Sequence, residues 1–189
     1  DFVAHKFDLK HLMRRIMTSS TYQLSSTSRP QHVDDRRFYT HYNVKRLPAE
    51  VLLDAINFAC GTEERFQGIG PLGARAAGVP PGTRAIELPD PNYQSTFLDT
   101  LGRPKRVIAC ECERTAEPNL AQVLLIANGE AFNNKLRDKD GRIAKLVARS
   151  VREDDAVREL YLVTVSRPPT SREIDDCRAI IKRAASRRE

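Results

Sequence analysis

The sequence lacks any apolar run approaching the roughly 20 residues that a membrane-spanning helix requires, and no signal-peptide pattern is read in these residues. Cysteine is scarce, with four in 189 residues, which excludes a disulfide-built scaffold. The haem-attachment pattern Cys-x-x-Cys-His is absent, so no c-type haem is expected on this chain. Also missing are the Gly-x-Ser-x-Gly turn of a serine hydrolase and the Gly-Lys-Ser/Thr ending of a phosphate loop. Asp138-x-Asp140-Gly141-x-Ile143 looks like the middle of a calcium loop. Aligning Gly141 with loop position six, however, puts Leu136 and Val147 where oxygen donors belong. A polar turn is the reading kept.

An initiating Met is also missing. Asp1-Phe2-Val3-Ala4-His5-Lys6-Phe7 reads as the end of a helix already under way, in a fragment of a longer polypeptide.

What is present is an ordinary globular balance: 40% hydrophobic and 30% charged residues, enough for one sizeable core. The net charge is +6, of which +4 falls in the last twelve residues, on Arg178, Lys182, Arg183, Arg187 and Arg188 against Glu189. Glu173, Asp175 and Asp176 precede them. Acids at the start and bases at the end of a helix complement its dipole without any partner, so no nucleic-acid binding is assigned.

Leu9, Leu12, Met13, Ile16 and Met17 repeat at helical spacing and predict a buried face over residues 8–19, with Asp8 as N-cap. The hydroxyl-rich stretch from Thr18 to Ser28 predicts a loop, because those side chains compete for backbone hydrogen bonds. Pro48, Glu50 and Gly61 bracket a helix over 48–60, with Val51, Leu52, Ala55, Phe58 and Ala59 on its apolar face. From Gly61 to Asn92 glycine and proline dominate, and a long irregular insertion follows, with one short strand expected at Ala85-Ile86-Glu87-Leu88. Tyr93–Leu101 reads as a short helix. Pro118 opens a helix expected to be central and well buried, through Leu120, Val123, Leu124 and Ala127, with Leu125 and Ile126 widening that face. Further helices follow over 130–137, around Ile143–Val151, and around Val157–Val165. A last one is expected to be capped by Ser171. Cys60 and Cys177 fall on apolar helix faces and read as small core residues. The expected fold is all-α, a bundle of about six helices with few or no strands. It forms one domain over 1–189 and carries an irregular insertion and polar segment at 61–117.

The densest polar cluster is Cys110-Glu111-Cys112-Glu113-Arg114. In an extended segment the two thiols and Arg114 share one face and the two glutamates the other. The thiols could supply half of a soft-metal site closed by His5, His11, His32 or His41, none at a recognisable metal spacing. A strained disulfide is a second option. The preferred reading is two small buried side chains beside an arginine that ties down a loop. Cys110, Cys112 and His41 are the metal candidates, and no metal is assigned. His41, in Phe38-Tyr39-Thr40-His41-Tyr42, belongs to an aromatic patch that could stack on a sugar or fill the core. The core is the preferred reading. Ser20 lies in a stretch that could hide a nucleophile, with no general base assignable.

Four ordered segments also carry a resemblance. Phe7-Asp8-Leu9-Lys10-His11-Leu12 runs into Ser19-Ser20-Thr21-Tyr22-Gln23. Arg46-Leu47-Pro48-Ala49-Glu50-Val51-Leu52-Leu53-Asp54-Ala55 follows. Gly102-Arg103-Pro104 and Cys110–Arg114 precede Pro118-Asn119-Leu120-Ala121-Gln122. Glu159-Leu160-Tyr161 with Ser166-Arg167-Pro168-Pro169-Thr170 closes the set. Together they resemble the C-terminal domain of unknown function of large planctomycete-type envelope proteins, downstream of cytochrome-c-like modules. The resemblance implies haem only on other domains, export to the periplasm or cell envelope, and a start upstream of Asp1. An exported setting also favours a disulfide or metal at Cys110 and Cys112 more than the residues alone do. It carries over no catalytic residue.

The function expected is therefore an interaction or scaffold module of a multidomain envelope protein. Its partners would be other domains of the same polypeptide, an envelope protein or a polysaccharide, met through the insertion and the Cys110–Arg114 segment. The alternative is an enzyme, a hydrolase or redox accessory acting on polysaccharide degradation products, with Arg114 and nearby carboxylates in its site.

Overall fold

A computed structural model describes residues 1–35, 37–69, 75–76, 78–105 and 119–185. These residues form eight α-helices and one two-stranded ribbon, so the fold is mainly helical as expected. Among them no helix is long and apolar enough to cross a membrane. The chain divides into two compact units, Asp1–Arg46 and Leu47–Glu189.

The first unit holds one α-helix, α1 (Leu9–Met17). Asp8 caps it, its carboxylate accepting the amides of Lys10 (2.8 Å) and His11 (3.1 Å). The hydroxyls of Thr18 and Ser19 donate to the carbonyls of Arg14 and Ile16 and end the helix, as the hydroxyl-rich stretch predicts. Two expectations fail here. Residues 2–7 form turns rather than a helix end. The apolar face of α1 is not buried: Leu9, Met13, Ile16 and Met17 are all exposed. The 1–7 segment folds back on α1 at His11, and only His11 and Leu12 of the helix are partly covered.

The second unit is built around α2 (Ala49–Cys60). Gly61 ends α2 at φ 67°, a left-handed conformation that costs a Cβ-bearing residue about 1–2 kcal/mol. Arg142 closes the same end, donating to the carbonyls of Ala59 and Phe58 (both 2.9 Å) while its guanidinium lies over the Phe58 ring. The core joins Ala49 and Leu53 of α2 to Phe66, Ala85, Leu88 and the helix α3 (Thr96–Thr100), which contributes Phe97 and Leu98, followed by Leu101. Leu53 and Leu98 are its largest fully buried side chains.

Residues 85–87 form a 3-10 turn instead of the expected strand. The Asp54 carboxylate on α2 accepts the amides of Ala85 (2.7 Å) and Ile86 (3.1 Å), satisfying donors that a strand would have sent to a neighbour. The ribbon pairs β1 (Gly68–Ile69) with β2 (Arg75–Ala76), antiparallel and two residues long on each side.

Helices α4 (Leu120–Asn128), α5 (Glu130–Leu136), α6 (Arg142–Ala148), α7 (Glu153–Val165) and α8 (Ser171–Ala185) complete the unit. The expectation that the first of these is buried through Leu120, Val123 and Leu124 is overturned, since all three are exposed. The inward face of α4 runs through Leu125, which was expected there, and Gln122, which was not. Gln122 donates its side-chain amide to the Thr100 carbonyl (3.1 Å) at the end of α3, a bond that this rotation of the helix allows. At α8 the cap is Thr170, not Ser171. Its hydroxyl accepts the Glu173 amide while its own amide donates to the Glu173 carboxylate, a capping box. Arg178, one of the tail's basic residues, is held by both oxygens of Asp154 at 2.8 and 2.6 Å. The Asp138–Gly141 segment is a polar turn between α5 and α6, with the Asp140 amide on the Asp138 carboxylate.

Candidate functional site

The larger concavity described lies wholly in the first unit. It has a volume of about 690 Å³ and is lined by Tyr22, Tyr39 and Tyr42, by Val33 and Val44, and by polar groups that include His41, Asn43 and Lys45. Two short loops build it. The first follows α1, where the Tyr22 amide donates to the Ser19 hydroxyl (3.3 Å). The second runs from Asp35 to Lys45, and the Tyr42 amide donates to the Ser25 carbonyl (2.9 Å), tying the loops together.

Asp35 organises the second loop. Its carboxylate accepts the backbone amides of Arg37 and Phe38 (both 2.9 Å) and Thr40 (3.2 Å), and the Thr40 hydroxyl at 2.6 Å. The Thr40 hydroxyl, with those amides behind it, holds the Asp35 carboxyl far below the usual carboxylate range. Wrapped around this anchor, Tyr39 adopts φ 54°, a left-handed conformation rare for a tyrosine. Backbone strain of that kind persists where the surroundings impose it, and Tyr39 lines the cleft while staying largely exposed.

The aromatic patch therefore does not fill the core. Phe38 is 77% exposed and Tyr39 66%, and Tyr22 and Tyr42 meet edge to face with ring centroids 6.4 Å apart. His41 is partly covered, with its Nδ1 3.4 Å from the Thr40 hydroxyl. The preference for a core histidine is corrected, because the segment's hydrogen bonds close locally on Asp35 and leave its rings at the surface. Tyrosines presented in this way offer apolar faces with hydrogen-bonding tips. Among the described residues, those lining the cleft include hydroxyls, an amide, an imidazole and a lysine but no carboxylate.

The segment Cys110-Glu111-Cys112-Glu113-Arg114 lies outside the described residues, as does part of the 61–117 insertion. The four histidines separate: His41 lines the cleft, His32 is exposed at the end of a 3-10 turn, and His5 and His11 stack on each other. Cys60 is buried and free, with burial pushing its thiol up, and Cys177 is free and half-buried. A second concavity, about 350 Å³, is lined by Gly61, Arg142, Lys145, Arg149 and Glu159 in the second unit. Glu159 bridges Arg142 and Arg149 at 3.2 Å each, so much of its positive charge is spent internally. No sequence pattern pointed to the Asp35 anchor. An aspartate followed at five residues by threonine is too common a pairing to mark a site.

Fold and cleft define a mainly helical module with a surface cleft and, among the described residues, no assembled catalytic set. The chain belongs to the PSD1 family, Protein of unknown function (DUF1553), whose sequence profile matches residues 1–181. No curated protein and no solved structure matches it.

Proposed function

We propose that this chain is a non-enzymatic interaction module that holds a polysaccharide in the tyrosine cleft of its first unit. The parent protein would be a multidomain, planctomycete-type protein of the periplasm or cell envelope, with haem confined to cytochrome-c-like domains elsewhere. The observation that carries the reading is the pairing of outward tyrosine faces with a polar edge in one cleft of about 690 Å³. A sugar ring has apolar C–H faces and a rim of hydroxyls, so it matches tyrosine rings flanked by Asn43, His41 and Lys45.

Binding is favoured over hydrolysis on chemical grounds. Glycoside cleavage needs, in most families, two carboxyl groups flanking the scissile bond. Among the described residues the cleft lining supplies none, and Asp35, in the loop that builds the cleft, is consumed by four hydrogen bonds inside that loop. Exposed apolar faces on α1 and α4 further suit a module that works beside other domains.

Affinity electrophoresis through gels containing neutral, uronate or sulfated polysaccharides tests the reading. Retardation by at least one class, weakened about tenfold in Tyr39→Ala or Tyr42→Ala, is expected. Migration unchanged in every gel would count against it, and release of reducing ends would favour the enzyme alternative.

A further inference from the structure

The geometry points to a transition-metal site on the first unit, distinct from the cleft, formed by Asp1, His5 and His11 and suited to Zn²⁺. One ligand atom from each of these residues lies within 4.8 Å of the other two. His11 Nε2 stands 3.3 Å from Asp1 Oδ2, and His5 Nδ1 stands 3.4 Å from Asp1 Oδ1. Donor atoms sharing one tetrahedral zinc at bond lengths near 2.0–2.2 Å lie roughly 3.3 Å apart, so the spacing of His11 Nε2 from Asp1 Oδ2 already matches.

Two further observations separate this cluster from a chance grouping of polar side chains. The first is an orphan: His11 Nε2 is shielded from solvent and has no hydrogen-bond partner, since its approach to Asp1 is close but not aligned for one. Buried polar atoms are rarely left unsatisfied, and an imidazole nitrogen facing a carboxylate and a second imidazole is a donor set that a metal would complete. The second is the backbone. Lys6 (φ 52°) and Phe7 (φ 62°) are consecutive non-glycine residues in the left-handed region, a costly reversal. That reversal folds residues 1–5 back over α1, and Phe2 packs edge to face on Phe7 (5.5 Å, 89°) to close it. Its result is to lay the His5 ring on the His11 ring, with centroids 3.7 Å apart and planes within 11°.

The outer contacts suit the same use. His5 Nδ1 lies 2.9 Å from the Asp1 carbonyl oxygen; as a donor there it would leave Nε2 its lone pair, an arrangement typical of metal-bound histidine. Parallel rings must tilt to aim both lone pairs at one ion, and side chains exposed by 45% at His5 and 27% at His11 have room to do so. Arg15, 3.8 Å from Asp1 Oδ2, is mostly exposed and free to swing aside. Two imidazoles and one carboxylate select a borderline ion such as Zn²⁺ over Mg²⁺ or Ca²⁺, which take oxygen ligands. Five residues lie between the histidines, a spacing with no standard helical or strand geometry, so the left-handed pair is what brings them together.

The test is zinc retention by the whole chain, free of any polyhistidine tag, after dialysis and measured by elemental analysis. The same is done for Asp1→Asn, His5→Ala, His11→Ala, His41→Ala and the double variant Cys110→Ser/Cys112→Ser. Circular dichroism confirms that each variant folds. One zinc per chain is expected, weakened at least about tenfold in the first three variants and unchanged in the other two. Cobalt substituted into the wild type should give a visible absorption band that His11→Ala loses. Zinc lost only from the cysteine variant would overturn the assignment. So would retention by His5→Ala/His11→Ala equal to that of the wild type, or no zinc bound by the folded wild type.

Discussion

The Asp35 carboxylate accepts the Thr40 hydroxyl at 2.6 Å across five residues, and the turn it closes carries Tyr39 in a left-handed conformation at the edge of the cleft. This pairing couples a local hydrogen-bond cage to the presentation of an aromatic surface. Asp35→Asn keeps the size of the side chain but replaces one acceptor oxygen with a donor. The amides of Arg37, Phe38 and Thr40 cannot all be served by what remains. Polysaccharide retardation is expected to fall severalfold in Asp35→Asn and Thr40→Val, with the unfolding midpoint of the second unit unchanged. Full binding in both variants would show that the cage does not position the tyrosines.

The α4–α5 corner supplies a sharper steric case. A Cβ added at Gly129 would come 2.0 Å from the Leu125 carbonyl oxygen, the same atom that accepts the Gly129 amide. Backbone cannot yield as a flexible side chain does, so Gly129→Ala must break that bond or move a helix. A loss of about 2–4 kcal/mol is expected, at the upper end for single substitutions. Gly61→Ala meets the Arg142 amide at 3.2 Å and adds left-handed strain, for a cost of about 1–2 kcal/mol. Urea denaturation of both variants ranks them, and a Gly129→Ala variant as stable as the parent would refute the close approach.

Much of the helix plan was legible because it rests on local chemistry. Asp8, Gly61 and the Gly141 turn mark their helix ends just as capping and left-handed propensity require. What was not legible depends on partners far along the chain. Helical spacing identifies an apolar face on α1 and on α4 but not whether anything covers it. On α4 Gln122 faces inward and bonds Thr100, 22 residues away, while Val123 and Leu124 stay exposed. The Ala85–Leu88 stretch has strand-like composition, yet Asp54 claims its amides from 31 residues away. The tyrosine cleft was visible as an aromatic patch, and only the Asp35 cage decides that it faces outward. His5 and His11 join through two backbone angles that no side-chain pattern announces.

The rotation of α4 makes a direct prediction. Gln122→Ala removes a buried donor and leaves the Thr100 carbonyl unserved, which should cost about 1–2 kcal/mol. Val123→Ser, one position on, replaces an exposed side chain and should change stability by no more than about 0.5 kcal/mol. If Val123→Ser proves the costlier of the two, the helix presents the opposite face to the core.

The start of α8 carries a pH dependence whose sign follows from Glu173. Hydrogen bonds from Arg167 (2.9 and 2.7 Å), backed by the Thr170 amide (2.8 Å), hold the Glu173 carboxyl at about 2, against its ordinary 4.5. A carboxyl lowered on folding contributes stability that is complete above its unfolded value and disappears as pH falls toward the folded one. Glu173→Gln should therefore destabilise the chain above about pH 5 and converge with the wild type as pH approaches 2. Thr170→Ala removes the other half of the capping box, and its cost of about 0.5–2 kcal/mol should shrink as Glu173 protonates, because the two act together. Denaturation midpoints of wild type and both variants between pH 7 and 2 give the comparison. A gap for Glu173→Gln that stays constant over that range would mean the ion pair with Arg167 does not hold the start of the helix, and that the stacking of Arg167 on the Tyr161 ring does so instead.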